Sequence, residues 1–327
     1  MSPPKLSVVI PLYNEREALP ALVAEIDSVR GALPAPLEVI LVDDGSTDGS
    51  WGAVRELCAS RPWLRGVRFL GNQGQTAAMA AGIAEARGEY LAFMDADLQN
   101  DPRDLARMLE PIVAGRADGV CGWRRDRKDR KLSRVLPSKL ANAIIARSLG
   151  IALHDTGCTL KVFRRVFLED VHLVGEMHRF IPAYAKSQGA RLVEMPVNHR
   201  ERKFGSSKYG LTRIYKVLID LMTVKVLNAY GTKPAYFFGK LGLGCALFGT
   251  AAFFVVAYRT FVLHRPESTP LIFIMLLLYI TALICFMSGL LAEINVRILH
   301  SSGDRRPYKI VERVAADSLA AEPAERS

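Results

Sequence analysis

The chain predicts an α/β fold: a mostly parallel, Rossmann-like sheet followed by an amphipathic helix and two transmembrane helices. Three observations predict it. Short apolar runs alternate with helical patterns through the first half, and each run ends in a polar cluster. Residues 211–227 carry apolar side chains at helical spacing with Arg213, Lys216 and Lys225 between them. Residues 241–263 and 271–291 are almost free of charge, each close to the ~20 residues that cross a bilayer.

Residues 6–10, Leu-Ser-Val-Val-Ile, form a β-branched apolar run that suits a buried strand ended by Pro11. The turn through Tyr13, Asn14 and Glu15 leads into a helix with Leu19, Leu22, Val23 and Ile26 on one face. A second strand, 37–42, ends in Asp43, Asp44, Gly45, Ser46, Thr47 and Asp48, of which Ser46, Thr47 or Asp48 can cap the next helix. A third, 67–70, runs into Gly71, Asn72, Gln73 and Gly74 and a helix over 76–86. The fourth starts at Tyr90 and stops at Asp95 and Asp97. An i, i+2 spacing sets both carboxylates on one face of a strand, and at a strand end both can reach one metal ion. Hard oxygen ligands suit Mg2+ or Mn2+, which keep positions open for substrate phosphates. The same pair would also serve as an acidic turn capping the next helix. In a doubly wound sheet ligands bind beyond the carboxyl ends of the strands, so the four polar clusters converge on one crevice.

Beyond a strand at 118–123 lies a basic run from Arg124 to Lys131, then Arg134, which reads as a solvated loop for most of its members. A helix over 137–149 places Ser138 and Asn142 on one face, and Asp155 to Cys158 form a turn before the apolar run 160–163. Residues 192–197 suit an edge strand, given Pro196. The Gly/Ser loop at 204–207, flanked by Arg202, Lys203 and Lys208, suits a phosphate, because small residues let backbone N–H groups and cations approach it.

A formal net charge of +10 over 327 residues admits nucleic acid, a membrane surface or an anionic substrate. No zinc-knuckle, helix-turn-helix or RNP-like pattern accompanies it, which argues against nucleic acid. Five scattered cysteines without CxxC spacing read as reduced or buried thiols. Lys5 leads straight into a strand, so the start of the chain does not read as a signal peptide. Lys233 and Lys240 precede the two spans, and Arg297, Arg305, Arg306 and Lys309 follow them. That pattern predicts a multi-pass protein of the inner (plasma) membrane, with the catalytic domain and both termini cytoplasmic. The expected divisions are 1–210, a globular domain; 211–232, an amphipathic juxtamembrane helix; 233–298, a transmembrane hairpin; and 299–327, a C-terminal tail whose last dozen residues read as disordered.

Five motifs in this order resemble the family 2 glycosyltransferases of GT-A fold, and more narrowly the polyprenyl-phosphate glycosyltransferases related to dolichol-phosphate mannose synthase and bactoprenol glucosyltransferases. They are Val-Ile-Pro11-Leu-Tyr13-Asn14-Glu15; Val-Asp43-Asp44-Gly-Ser46; Asn72-x-Gly74-x-x-x-Ala78-x-x-x-Gly82; Asp95-Ala96-Asp97-Leu-Gln99-x-x-Pro102; and Arg202-x-x-Gly205-x-Ser207-Lys208. The resemblance implies a membrane-anchored, inverting transfer of a sugar from a nucleotide sugar, UDP-sugar favoured, to a polyprenyl phosphate, undecaprenyl phosphate favoured. It implies that Pro11, Tyr13, Glu15, Asp43, Asp44, Asn72, Asp95 and Ala96 line the nucleotide pocket, with Arg202 and Lys208 closing over the diphosphate. By the same resemblance Asp95, Asp97 and Gln99 hold Mg2+ or Mn2+, Arg124, Arg134 and Ser138 bind the acceptor phosphate, and Asp155 stands near the acceptor. A lipid phosphate is already an anionic nucleophile, which makes Asp155 a positioning residue before it is a base. The lipid-facing surface of two spans would also suit a homo-oligomer.

Other readings are weaker. A processive polysaccharide synthase would carry Gln-x-x-Arg-Trp, whereas Gln188-Gly-Ala-Arg191 is followed by Leu192. A different lipid acceptor leaves the phosphate-binding cations without a task. A nucleotidyltransferase would need a Gly-rich loop with Lys or Arg near the first strand, and a non-catalytic scaffold would not need Asp95, Asp97 and Gln99.

Overall fold

The computed structural model describes residues 5–125, 153–169, 171, 173, 177–200, 235–264, 269–301 and 308–316. The expected helices at 137–149 and 211–227, and Arg134, Ser138, Arg202 and Lys208, lie outside the described residues.

The first half alternates as expected: β1 (Leu6–Leu12), α1 (Leu19–Arg30), β2 (Leu37–Asp43), α2 (Ser50–Ala59), β3 (Leu64–Phe69), α3 (Gln75–Glu85), β4 (Tyr90–Phe93) and α4 (Asp104–Val113). β5 (Gly119–Trp123), β6 (Lys161–Arg164), α5 (Ile181–Ser187) and β7 (Leu192–Pro196) follow. After two long helices, α6 (Ala235–Phe261) and α7 (Thr269–Ser301), comes β8 (Ile310–Ala315). All eight strands join one sheet in the order β7-β5-β6-β4-β1-β2-β3-β8. β1 pairs in parallel with both β2 and β4, so the chain winds outward through β2 and β3 and then restarts on the other side of β1. That reversal is the switch point at which open α/β sheets bind ligands. β7 closes one edge, as Pro196 led us to expect, and β6 runs antiparallel to both β4 and β5.

β1 and β2 are buried along their whole length because helices cover both faces of the sheet. α3 crosses β1 so closely that a Cβ on Gly82 would lie 2.1 Å from Val9 Cγ1, which is why the motif needs glycine there. β1 continues through Pro11, where a stop was expected: its pairing with β4 has ended at Val9, so the missing N–H costs no ladder bond on that side. Burial pushes the Cys58 and Cys121 thiols up to about 12, so these are core side chains without nucleophilic character.

β8 was not foreseen. Within the stretch 299–327, read as a tail, residues 310–315 form an antiparallel strand on β3. The unit that contains the sheet is therefore built from chain on both sides of the two long helices, which form a unit of their own. In that second unit α6 and α7 meet through small residues. A Cβ on Gly242 would come within 3.1 Å of the Ala282 carbonyl, and Thr250 Oγ1 lies 3.0 Å from the Tyr279 hydroxyl. Phe248, Phe254, Leu277 and Leu283 are among the many large side chains that these helices leave exposed. Among the described residues two helices are long and apolar enough to cross a membrane.

Candidate active site

The floor of the crevice is the end of β4. From Met94 to Asn100 burial alternates: Met94, Ala96, Leu98 and Asn100 point into the core while Asp95, Asp97 and Gln99 stay half-open. The period of two in burial continues past the last paired residue, so the three predicted metal ligands are the half-open residues of this stretch. The chain then turns sharply, with Leu98 at φ 63° and the Gln99 N–H donating to Asp97 Oδ1 (3.1 Å). A non-glycine residue in the left-handed region costs about 1–3 kcal/mol and persists where its surroundings demand it.

The Asp95 carboxylate is held by two neutral donors. Gln75 Nε2 donates to Asp95 Oδ1 (2.9 Å), Thr159 Oγ1 donates to Asp95 Oδ2 (2.6 Å), and Asn100 Oδ1 accepts from the Asp95 N–H (3.1 Å). Those donors fix the orientation of the Asp95 carboxylate, a hard oxygen ligand of the kind a divalent cation takes. Among the described residues no three His, Cys, Asp or Glu side chains form a closed metal cage. A site with so few protein ligands suits a cation that takes its remaining oxygens from a bound diphosphate.

β1, β2 and β3 supply the next wall. The Asn14 N–H donates to Ser46 Oγ and the Thr47 N–H returns to Asn14 Oδ1 (2.9 Å each), with Asn14 at φ 57°. None of the three expected caps takes the N-cap position of α2, which is Gly49 at φ 86°; Asp48 Oδ1 accepts from the Ser50 N–H just inside the helix, and Ser46 serves the neighbouring turn. Asp44 spends both oxygens on the Gln73 and Gly74 N–H groups (2.6 and 2.8 Å), shaping the loop that precedes α3. Asp43 is fully buried: Oδ1 accepts from the Ser46 N–H, whereas Oδ2 takes no hydrogen bond and has Arg68 Nε 3.7 Å away. Burial raises the Asp43 pKa above the usual carboxylate value, against the opposing pull of Ser46 and Arg68. Pro11 is buried within β1, Tyr13 and Glu15 are half-exposed, Ala96 is buried, and Asn72 is exposed at the loop tip.

Of the residues expected on the acceptor side, Arg124 and Asp155 are described and meet each other. Arg124 forks onto Asp155 through Nε and Nη2 (2.7 and 2.9 Å), both side chains being largely buried. Glu194 on β7 accepts the backbone N–H groups of His154 and Asp155 (2.8 and 3.0 Å), which fixes the start of the 155–158 turn. Under that turn Lys161 is buried and donates to the Thr156 carbonyl (3.2 Å); burial lowers its pKa. Sequence reasoning missed Gln75, Thr159, Lys161 and Glu194, which act through hydrogen bonds between segments far apart in the chain and leave no local pattern.

The metal turn is also fastened to the chain that leads toward Arg202. Gln99 exchanges hydrogen bonds with Arg200, through the Arg200 N–H to the Gln99 carbonyl (2.9 Å) and Gln99 Nε2 to the Arg200 carbonyl (3.4 Å). Arg200 pairs with Glu25 and Asp101 (2.6 and 2.8 Å).

The model of the family described as "Glycosyl transferase family 2" matches residues 7–171. The chain is 38% identical to a dodecaprenyl-phosphate galacturonate synthase of Rhizobium johnstonii, over 96% of this chain and 94% of that protein. It is 40% identical to an undecaprenyl-phosphate 4-deoxy-4-formamido-L-arabinose transferase of Aeromonas hydrophila, over 67% of each chain. Among solved structures, glucosyl-3-phosphoglycerate synthase from Mycobacterium tuberculosis, in complex with Mn2+, UDP and phosphoglyceric acid, superposes with a TM-score of 0.53. It is 15% identical and covers 68% of this chain and 78% of that one.

Proposed function

This chain belongs to glycosyl transferase family 2 and is a glycosyltransferase of GT-A fold, and from that premise we propose that it moves a sugar from a UDP-sugar onto a polyprenyl phosphate, undecaprenyl or dodecaprenyl, with inversion at the anomeric carbon. What carries the reading is the extent of likeness to the dodecaprenyl-phosphate galacturonate synthase, which runs through crevice and helix pair alike, 96% of this chain.

The site supplies the parts such a transfer needs. Asp43 Oδ2, buried and without a hydrogen bond, is the acceptor that an N–H or O–H of the nucleoside would satisfy. Asp95, Asp97 and the Gln99 amide oxygen would hold a Mg2+ or Mn2+, which when bound offsets the charge that develops on the leaving diphosphate. Arg202 and Lys208 follow Arg200, which is tied to Gln99, by two and eight residues in the sequence, and by the family resemblance these two cations would close on that diphosphate. Arg124 directs two donors at Asp155 and faces the turn through Gly157, where a Cβ would come 3.3 Å from Arg124 Nη2. It keeps further N–H groups for an acceptor phosphate. Through that fork Asp155 orients the guanidinium, and the lipid phosphate attacks as the anion it already is. The two apolar helices anchor the enzyme in the cytoplasmic membrane where that lipid resides, with the catalytic unit on the side that holds nucleotide sugars.

The test offers membranes containing the protein a panel of UDP- and GDP-sugars with undecaprenyl phosphate, with and without EDTA, for the wild type and Asp97→Ala. The expected result is transfer into the lipid phase that EDTA and Asp97→Ala both abolish. Transfer that survives Asp97→Ala, or no transfer from any donor by folded protein supplied with Mn2+, would remove the proposal.

A further inference from the structure

β8 reaches the donor side of the crevice by two routes. The first runs through side chains. Glu312 lies directly opposite Arg68 in the β3–β8 register and accepts a hydrogen bond from Trp51 Nε1 (2.7 Å). The Arg68 guanidinium sits over the Trp51 ring, 6.0 Å from its centroid, and is the cation 3.7 Å from the buried Asp43. Glu312 thus fixes the indole on which Arg68 rests, and Arg68 faces the open oxygen of Asp43. Arg55 also approaches Glu312, at 3.6 Å. The second route runs through backbone. A bulge between Arg68 and Phe69 shifts the pairing, after which Tyr308 stacks on Phe69 (4.9 Å between centroids, 10° between planes) and the Leu70 N–H donates to the Lys309 carbonyl (3.1 Å). Leu70 opens the loop whose Gln73 and Gly74 N–H groups grip Asp44. That loop has no slack: a Cβ on Gly45, beside Asp44, would lie 2.6 Å from Gly71.

An edge strand needs only ladder bonds and a buried side chain to seal a sheet, and Val314 under Gly66 already provides the latter. The Glu312–Trp51–Arg68 and Tyr308–Phe69 contacts exceed that requirement, and both lead to the same pair of aspartates.

We propose that β8 is a positioning element of the donor pocket: the segment that follows the two long helices sets Arg68 against Asp43 and the 70–75 loop against Asp44, so nucleotide affinity depends on its docking. This rests on the reading of Asp43 and Asp44 as the nucleotide side of the crevice.

The experiment uses the full chain in lipid nanodiscs, with UDP and GDP in the presence of Mn2+ as probes, and compares the wild type with Glu312→Ala, Glu312→Gln and Tyr308→Ala. Nucleotide dissociation constants are measured by calorimetry, and amide hydrogen exchange across 70–75 is followed without nucleotide. Loss of one such contact is expected to weaken UDP binding about three- to tenfold in Glu312→Ala and to speed exchange at Gln73 and Gly74 in both alanine variants. Glu312→Gln keeps an acceptor for the Trp51 N–H and is expected to restore most of the affinity. Unchanged affinity in folded Glu312→Ala and Tyr308→Ala would overturn the proposal and leave β8 as an edge seal. Faster exchange at 70–75 with unchanged affinity would overturn the coupling to nucleotide while leaving the brace intact. Wild-type protein that binds neither UDP nor GDP would instead refute the pocket assignment itself, and the proposal with it.

Discussion

Asp43 is a residue whose cost to folding and use in binding can be separated. Its carboxyl is harder to ionise in the folded chain than in the unfolded one, because burial outweighs the hydrogen bonds from Ser46 and the attraction of Arg68. The sign follows from linkage: a raised folded pKa means that the folded state holds the proton more tightly. The destabilisation is fully present at neutral pH and is relieved as pH falls through the raised value toward 3.8. Asp43→Asn removes that penalty while keeping the shape, so its unfolding midpoint should equal or exceed that of the wild type at pH 7, and the advantage should shrink toward pH 4. On the proposed role of Asp43 the same change withdraws an anionic acceptor from the nucleoside, and a hydrogen bond to a charged group is worth about 1.5–3 kcal/mol, so UDP affinity should fall roughly ten- to a hundredfold. Denaturation at several pH values and nucleotide titration on one preparation check both halves. A variant that loses stability at neutral pH would show that Arg68 compensates the buried charge more fully than its 3.7 Å approach implies.

At the scale of elements, the glycine of α3 explains a motif. Gly82 lies on the helix face pressed against β1, and a methyl group there meets Val9 Cγ1 at 2.1 Å and Val9 Cβ at 3.1 Å. A β-branched valine in a filled strand cannot swing aside, so Gly82→Ala should destabilise the catalytic unit by about 1–3 kcal/mol despite alanine's better helix propensity. A lowered melting temperature by intrinsic fluorescence checks this, and a Val9→Ala partner change should recover part of the loss. Elements of this kind are legible in sequence because the rule is local: β1, β2 and β4 follow from apolar runs, α1 from its spacing, and the Asp95–Asp97 pair from a period of two, whereas Gln99 entered only through the family resemblance. β8 was not legible, since Ile-Val-Glu-Arg-Val-Ala is short, carries two adjacent charges and is separated from β3 by the whole of the helix pair. The acceptor wall was legible only by residue type. Arg124 and Asp155 were both named, but their mutual fork, and the Glu194 and Lys161 that set the turn between them, depend on β5, β6 and β7 coming together.

At the scale of the molecule, chain order constrains topology. The catalytic sheet takes strands from before α6 and from after α7, with β8 hydrogen-bonded to β3. If α6 and α7 both cross a bilayer, an even number of crossings returns the chain to the side it left, which is the arrangement that pairing of β8 with β3 requires. A single crossing, whichever helix lay along the surface, would leave β8 on the side away from β3. The connector begins near His264, and Arg116 lies at the exposed end of α4. In a background with the five native cysteines replaced, His264→Cys should react with a membrane-impermeant maleimide added to intact spheroplasts, and Arg116→Cys should react only after the membrane is opened. Protection of both positions would mean that the helix pair does not span. Labelling of both from outside would place the catalytic unit away from the nucleotide pool and remove the donor assignment along with the topology.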